Sequence, residues 1–402
     1  MKKLNWHLVL FYSFLTILSF FIGRNVENST LNNFSMVSAV GIDQDEENIY
    51  HITLQFLNPP ALQRNATGDQ LGAIVYEERG RTISEAIRKL SKRISRSVFL
   101  DNTDIIVVSE ELARKGITEV VDFLILEPNI SANLKFFVTK DVKPSVVLQM
   151  FTPVHKFSAS RIKETIENIE ANYGSAKILY PNKIKNYLMN KVVVNTSIPY
   201  LIIQGDPSKG VTKENISAYS SPSQIIIGGM GFFNGDKLID FLDDEEGKTL
   251  LILEGDLLKK TIWEATCPKD EKNKFAAMNI TDTHTKLHFK QQENHTLAFT
   301  INSKVVGEIY ESNCNVNFEH PNKDKYEEQF ENEIKQSMKD LIEKSQEYNT
   351  DFIGFAKNIY MTKPSQWHNL KNDWNSIFPN MTVDVNVEVN ITDTGESTQI
   401  PK

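Results

Sequence analysis

The sequence predicts a mixed α/β (α+β) fold in which β-sheets are covered by helices, with at least two exported domains after an N-terminal membrane helix. Three patterns carry this prediction. Apolar and polar residues alternate over residues 49–56 and 380–395, as in strands with one buried face. Other segments repeat apolar residues at helical spacing, and residues 6–22 form one apolar run. Strands that alternate with helices in sequence are typical of sheets packed under helices.

The apolar run follows two lysines and ends at Gly23. A helix over residues 6–23 would be about 27 Å long, close to the hydrocarbon thickness of a bilayer. Because the lysines precede the run, everything after Arg24 is predicted to lie outside the cytoplasm. No small residues suited to signal cleavage stand in the bulky sequence before Gly23, so an uncleaved anchor is favoured over a cleaved signal peptide. A buried helix of a soluble protein is the remaining alternative.

Composition bounds the possible functions. The chain has 402 residues, 40% of them hydrophobic and 24% charged, enough for two or three domains. A net charge of -8 argues against nucleic-acid binding, which normally requires a basic surface. Cys267 and Cys314 could form one disulfide, and the sequence leaves open whether they meet. Two cysteines alone do not close a zinc site.

The first half of the exported part, predicted as a domain over residues 25–203, alternates strands and helices. Its opening stretch, residues 34–59, reads as two strands around an acidic turn, ended by two prolines. Helix starts are predicted from capping residues, Thr82 or Ser84 for one helix and Ser109 for another that Gly116 ends. The other predicted elements are strands at 74–77, 104–109 and 134–139, helices at 117–126 and 158–172, and a helix running into a strand at 184–194.

Residues 204–224 are rich in Gly, Pro and Ser and are predicted to be a linker or boundary region before a second domain, residues 225–396. A hairpin opens that domain, with Asn234-Gly235 as its two-residue turn, because both central positions of such a turn need positive φ. The remaining predictions are a helix over 243–253, antiparallel strands at 276–302 and 304–319, a long helix at 323–348, two short helices within 351–379, a strand within 380–395, and a polar tail at 397–402.

One predicted helix carries a basic face. This face could bind acidic headgroups or an acidic partner, although a solvated helix face is the simpler interpretation. Glu110, Glu111 and Glu119 would neutralise it if they lie close. Its members are Arg88, Lys89, Lys92, Arg93 and Arg96.

Sequence motifs that would indicate catalysis, metal binding or nucleotide binding are weak throughout the chain. His284 and His288 would share a face of a strand near His295, without acidic or cysteine ligands at a metal-site spacing. The acidic stretch 243–246 lacks the alternating ligands of a calcium loop and suits a charged helix start. Gly229-x-Gly231 lacks the third glycine of a nucleotide loop. No catalytic, cofactor-binding or metal-binding residue is therefore predicted, and an enzyme is not expected.

Long segments resemble a known family. The stretches "VSAVGID", "ITLQFLNP" and "VYEERGRTISEAIRKLSKRISRSVFLDNTDIIVVSEELARKGITEVVDFL" resemble the N-terminal domain of the Ger(x)C family, the C subunits of spore germinant receptors. The stretches "GGMGFFNGDKLIDFLDDEEGKTLLIL" and "EYNTDFIGFAKNIYMTKPSQWHNLKNDWNSIFPNMTVDVNVEVNITDTG" resemble its C-terminal domain. The resemblance runs from about residue 34 to residue 395.

The resemblance implies a non-enzymatic subunit on the exported side of the spore inner membrane, assembled with integral-membrane A and B subunits that respond to small nutrients. No cofactor is implied, and contact with the nutrient would be indirect. An exported protein that captures the nutrient itself is the alternative. Family members typically carry a lipid-modified cysteine after the signal, where this chain has Arg24. At this position the chain departs from the family, because arginine cannot take the lipid, and the departure favours an uncleaved anchor of residues 1–24 without lipidation.

Overall fold

The chain folds into two β-sheets covered by helices, which confirms the predicted mixed α/β class. The computed structural model describes residues 6, 11–16, 34–63, 70–128, 130–189, 196–255, 261–268, 273–291, 297–314 and 322–393. Residues 11–16 are helical. Most of the predicted anchor, together with Arg24, lies outside the described residues. Among the helices that the structure describes, none is long and apolar enough to cross a bilayer.

Nine strands form the first sheet within these ranges, in the order β3-β2-β1-β5-β6-β7-β8-β9, with β4 beside the start of β1. Strands β1, β4, β5, β6 and β7 run parallel, and the hairpins at either edge run antiparallel. The strands are β1 (Phe34–Gln44), β2 (Tyr50–Leu57), β3 (Ala73–Gly80), β4 (Ser97–Phe99), β5 (Ile105–Val108), β6 (Lys135–Thr139), β7 (Ser197–Gly205), β8 (Ser223–Asn234) and β9 (Lys237–Leu242).

Helices connect these strands and cover the sheet. The parallel strands β5 and β6 are fully buried, as expected when helices lie over a sheet. The helices are α1 (Pro59–Leu62), α2 (Ile83–Leu90), α3 (Glu110–Lys115), α4 (Thr118–Leu126), α5 (Pro144–Gln149), α6 (Ser158–Asn172), α7 (Pro181–Met189), α8 (Pro207–Gly210) and α9 (Glu214–Ser217).

The second sheet has the order β10-β11-β12-β13, with β12 and β13 parallel. One face of it packs against the long helix α11 through a stripe of apolar side chains that includes Phe330, Ile334 and Met338. Its strands are β10 (Thr261–Thr266), β11 (Phe275–Gln291), β12 (Leu297–Ser312) and β13 (Thr382–Asp393); its helices are α10 (Asp244–Glu254), α11 (Asn322–Glu347), α12 (Phe355–Thr362), α13 (Pro364–Leu370) and α14 (Trp374–Ile377).

One hydrophobic cluster extends from the first sheet into the second. Phe232 of β8 lies 4.6 Å, centroid to centroid, from Phe352, which precedes α12. The segment 204–224 connects β7 to β8, which are neighbours in the same sheet. Residues of the predicted second domain therefore complete the first sheet, and the division at 204–224 stays a prediction.

The helix starts follow the predicted local chemistry. Thr82 accepts a hydrogen bond from the Glu85 backbone N–H at 3.1 Å, and Ser109 caps α3 in the same way. The acidic stretch 243–246 is a helix start, as predicted. The Asp243 carboxylate accepts from the Glu246 N–H, and the Glu246 carboxylate accepts from the Asp243 N–H, which forms a capping box.

Two predicted turns are wrong in detail. Asn234 pairs directly with Lys237, so the central turn residues are Gly235 and Asp236, and of these two Gly235 has positive φ, at 60°. This matches a turn with glycine first, rather than one with two positive φ values. The second error concerns the boundary between two predicted strands near residue 303, which lies inside β12. The segment between β11 and β12 is instead the polar sequence QENHT at 292–296, which lies outside the described residues.

Cys267 and Cys314 are joined by a disulfide with a Cα–Cα distance of 5.6 Å. The two residues follow the ends of β10 and β12, and the Cys267 N–H donates to the Lys274 carbonyl at 3.1 Å. The bridge connects positions 47 residues apart in sequence. The sequence left open whether these two cysteines meet, and the structure shows that they do.

Candidate functional site

A groove of about 730 Å³ runs along the open edge of β3. Its walls come from residues 70–75, from residues 148–157, and from residues 211–216. These three stretches are far apart in sequence and meet because α5 and the segment after it pack beside β2 and β3. The volume falls within the range of small-ligand sites, roughly 300–1,000 Å³.

Part of the β3 backbone is open towards this groove. Arg93 donates to the Glu77 carbonyl at 2.9 Å and Lys89 to the Arg79 carbonyl at 3.1 Å, so these carbonyls point away from β2. In an antiparallel pair, alternate residues direct their backbone groups to the same side. The backbone of Ala73 and Val75 therefore also faces outward, and both residues line the groove.

The groove has an apolar rim. Leu71, Ile74 and Ile216 are 45%, 46% and 48% exposed, and Val154 is 99% exposed. Isolated exposed apolar residues are ordinary, but several around one concave surface indicate a contact site. This rim is the part of the groove best suited to an apolar ligand or protein surface.

Val154 has an unusual backbone conformation. Its φ is +69°, and the His155 N–H donates to the Pro153 carbonyl at 2.7 Å, so Val154 is the central residue of a tight three-residue turn. A β-branched residue with positive φ is a steric outlier that costs about 1–3 kcal/mol. Such strain is concentrated at functional sites in proteins, which makes this turn a candidate for binding.

The floor of the groove contains a polar side chain whose hydrogen-bonding groups already have partners within the protein. The buried Gln55 amide donates to the Leu148 carbonyl at 2.7 Å and to Ser158, and its oxygen accepts from Ser38 and from the Ala159 N–H. A ligand would therefore find its polar partners among rim residues. His155 is such a residue, although it contacts Glu164 at 2.9 Å. That hydrogen bond, followed by one from Ser160, lowers the pKa of Glu164.

The basic face lies at the C-terminal end of α2 and in the loop after it, and we call its members Arg88, Lys92, Arg93 and Arg96 the basic rim. Lys89 pairs with Glu85 at 2.9 Å and is left out of this set. Arg93 lies 5.6 Å from the Tyr76 ring centroid.

The proposed neutralisation of the basic face finds no support in the described ion pairs. Glu110 pairs with Arg114 at 2.7 Å. Glu119 accepts a hydrogen bond from the Tyr50 hydroxyl; burial, and then this bond, raise the pKa of Tyr50. Both carboxylates are thus engaged elsewhere, and no described ion pair connects Glu111 to the basic face. In the described part of the chain, the basic face has an ion pair with Glu85 alone.

Of the other sequence motifs, the described histidines and the glycine motif lie on strands β11 and β8. His284 and His288 are exposed on β11, and His295 lies outside the described residues. A Cβ at Gly229 would come within 2.2 Å of the Leu242 carbonyl oxygen, so this glycine permits close strand packing. The described residues bring together no group of three side chains that could hold a metal ion.

The groove and the basic face both lie on the surface of the protein. Comparison with known families identifies it further. The model "Spore germination protein N-terminal domain" matches residues 27–203, and the model "Spore germination B3/ GerAC like, C-terminal" matches residues 228–395. The chain belongs to this family of germinant receptor C subunits.

Relatives extend over nearly the whole chain. Spore germination protein KC of Bacillus subtilis (strain 168) is 27% identical over 91% of this chain and 90% of its own length. The putative spore germination protein YfkR of the same strain is 22% identical over 89% and 90%. The crystal structure of the GerBC protein matches with a TM-score of 0.56 and 18% identity, covering 88% of this chain and 96% of that one. This last similarity concerns the fold.

Sequence reasoning missed the groove. Its residues come from three segments that only the folded chain brings together, and positive φ at Val154 has no sequence signature.

Proposed function

We propose that this protein is a non-enzymatic, membrane-tethered C subunit of a nutrient germinant receptor, needed for spore germination through assembly with integral-membrane A and B subunits. It would be held on the exported side of the spore inner membrane by the N-terminal helix. The observation that carries the proposal is the match of both family models, in order, over residues 27–203 and 228–395. Relatives named as spore germination proteins, each covered over 90% of its own length, support it.

Further support comes from the architecture. The family is one of receptor subunits and not a known enzyme family. The lysines before the apolar run 6–22 favour an orientation with the body outside the cytoplasm, and the bulky residues before Gly23 favour an uncleaved anchor. Contact between this subunit and the nutrient would then be indirect, through the assembled receptor.

Deletion of the gene tests the proposal. Spores that lack it, in a strain without redundant receptors, are expected to lose the response to at least one nutrient, and a copy expressed in trans should restore that response. A copy that lacks residues 1–24 but carries a cleavable signal should fail to restore it, because the exported chain would no longer be held beside its partners. Normal germination of the deletion strain with every nutrient would contradict the proposal.

The groove supports a second candidate, an exported protein that captures the nutrient itself. Its volume suits a small molecule, and its rim combines apolar side chains with Lys156 and Lys213. Calorimetry of the detergent-solubilised full chain with amino acids and sugars tests this. Tight binding that Ile74→Arg abolishes, and that Met361→Arg at another exposed apolar position preserves, would favour capture. The absence of binding would favour the receptor-subunit proposal.

A further inference from the structure

The basic rim is a local reversal of charge in an acidic protein. The whole chain has a net charge of -8, yet residues 88–101 contain five Lys or Arg residues and a single acid, Asp101. The cluster is therefore a local concentration of positive charge in a chain that is acidic overall. An anionic surface is the kind of partner that such a feature attracts.

Three members of the rim are available for a partner. Arg88, Lys92 and Arg96 are exposed, and within the described ranges none of their side chains forms an ion pair or hydrogen bond. Arg93, by contrast, is held by the Glu77 carbonyl and lies over the Tyr76 ring. The basic rim thus has one cation held in place and three without such contacts among the described residues.

The basic rim lies close to the point where the N-terminal segment joins the first sheet. Strand β4 begins one residue after Arg96, and Ser97 pairs in parallel with Phe34, the first residue of β1. The N-terminal segment therefore joins the first sheet at Phe34, beside the basic rim. Between the apolar run and β1 lie residues 24–33, which span at most about 35 Å when fully extended.

We propose that the basic rim contacts the anionic phospholipid headgroups of the membrane in which the N-terminal helix is anchored. The inference rests on the proposed membrane tether and adds which face of the exported body turns to the bilayer. Guanidinium groups bind phosphate oxygens in bidentate fashion, and the ammonium group of Lys92 adds a point charge. Each cation near an anionic bilayer raises the equilibrium constant for membrane contact by a factor of about five.

A fluorescent label at the rim tests the contact. Ser95 is exposed between Lys92 and Arg96, so Ser95→Cys carries an environment-sensitive dye without loss of a buried group. The labelled full chain is reconstituted in nanodiscs of phosphatidylcholine alone or with about a third phosphatidylglycerol. Headgroup contact predicts a blue-shifted emission in the anionic discs that is reversed by high salt. A label at Ser365→Cys, exposed on α13, should not respond.

Charge reversal provides the matched comparison. Arg88→Glu, Lys92→Glu and Arg96→Glu together should remove the shift, since the loss of three factors of about five lowers the equilibrium constant for membrane contact about a hundred-fold. The same net change made elsewhere should leave the shift intact. The control variant is Lys237→Glu, Lys339→Glu and Lys371→Glu, all at exposed positions.

The outcomes separate this inference from the proposed function. No anionic shift at Ser95, or an equal shift at Ser365, overturns the membrane contact. A shift that requires co-reconstituted A and B subunits also overturns it and assigns the rim to a protein partner. Copurification with those subunits, measured on the same variants, reports on the receptor proposal independently of the dye.

Discussion

Lys344 and Glu246 connect the two sheets of the protein. The Lys344 Nζ donates to both carboxylate oxygens of Glu246, at 2.7 and 2.9 Å, and to the Phe241 carbonyl at 3.2 Å. Lys344 belongs to α11, which covers the second sheet, whereas Glu246 belongs to the capping box that follows β9 of the first. The ion pair therefore joins the helix over the second sheet to the edge of the first sheet, and both residues lie within residues 228–395, matched by the C-terminal family model.

Removal of this ion pair should weaken the whole fold. Lys344→Gln leaves the half-buried Glu246 carboxylate and the Phe241 carbonyl without their cation, at a cost of about 1–2 kcal/mol in the free energy of unfolding. Urea denaturation measures this cost. Lys339→Gln, at an exposed position of the same helix, should change stability by less than about 0.5 kcal/mol. Equal effects of the two substitutions would contradict a specific role for the pair.

The turn at Val154 predicts an unusual gain in stability. Glycine adopts positive φ freely, so Val154→Gly should raise the free energy of unfolding by about 1 kcal/mol despite its greater freedom in the unfolded chain. Val154→Ala is the control, because it removes the exposed side chain but retains the Cβ that causes the strain. If thermal unfolding shows alanine and glycine to be equivalent, the turn is not strained.

Asp351 should give the protein a distinctive pH dependence. Its buried carboxylate accepts hydrogen bonds from the backbone N–H groups of Gly354, Phe355 and Ala356 at 2.7–2.9 Å. Burial raises the pKa of Asp351 from 3.8 to about 6, although the hydrogen bonds oppose this rise. Between these values the unfolded chain loses the proton while the folded chain keeps it, so this group stabilises the fold below about pH 4 and loses that contribution as the pH rises through 6.

Asp351→Asn isolates this contribution. The stability difference between the wild type and the variant should fall by about 3 kcal/mol between pH 4 and pH 6.5, at roughly 1.4 kcal/mol per pKa unit. Chemical denaturation across this pH range provides the measurement, with Asp373→Asn at an exposed position as the control. A difference that is constant with pH, or that grows as the pH rises, would show that the pKa of Asp351 is not raised.

The disulfide should contribute strongly to stability. Replacement of Cys267 and Cys314 by alanine together removes a link between positions 47 residues apart, and the loop-closure model gives a loss of about 4 kcal/mol. Unfolding of the wild type with and without reductant should show the same difference. Two free thiols in the denatured but unreduced protein would contradict the bridge.

Local sequence patterns were sufficient for much of the fold. Thr82, Ser109 and Asp243 each begin a helix through a side-chain cap within three residues, which is why their positions were predictable. The hairpin at Asn234 was located but displaced by one residue, because the sequence does not decide which positions of the turn take positive φ. The parallel pairing of β12 with β13 was not predictable, since it depends on α11 and the short helices between them.

The basic rim and the groove also differ in how much of each could be predicted from the sequence. The basic rim lies within nine consecutive residues, so its charge pattern was visible in the sequence, whereas its position beside Phe34 required the pairing of β1 with β4. The groove combines Leu71, Val154 and Ile216, whose proximity is a property of tertiary packing. Surfaces assembled from distant segments leave no local pattern to read.

Fractionation of spores tests the central claim most directly. Spores carrying a tagged copy of this chain are broken without detergent, the membranes are sedimented, and the tagged protein is then purified in mild detergent. The account predicts that the chain sediments with the membranes, retains its N-terminal peptide, and copurifies with integral-membrane A and B subunits. Recovery of the intact chain in the supernatant, free of both subunits, would contradict it.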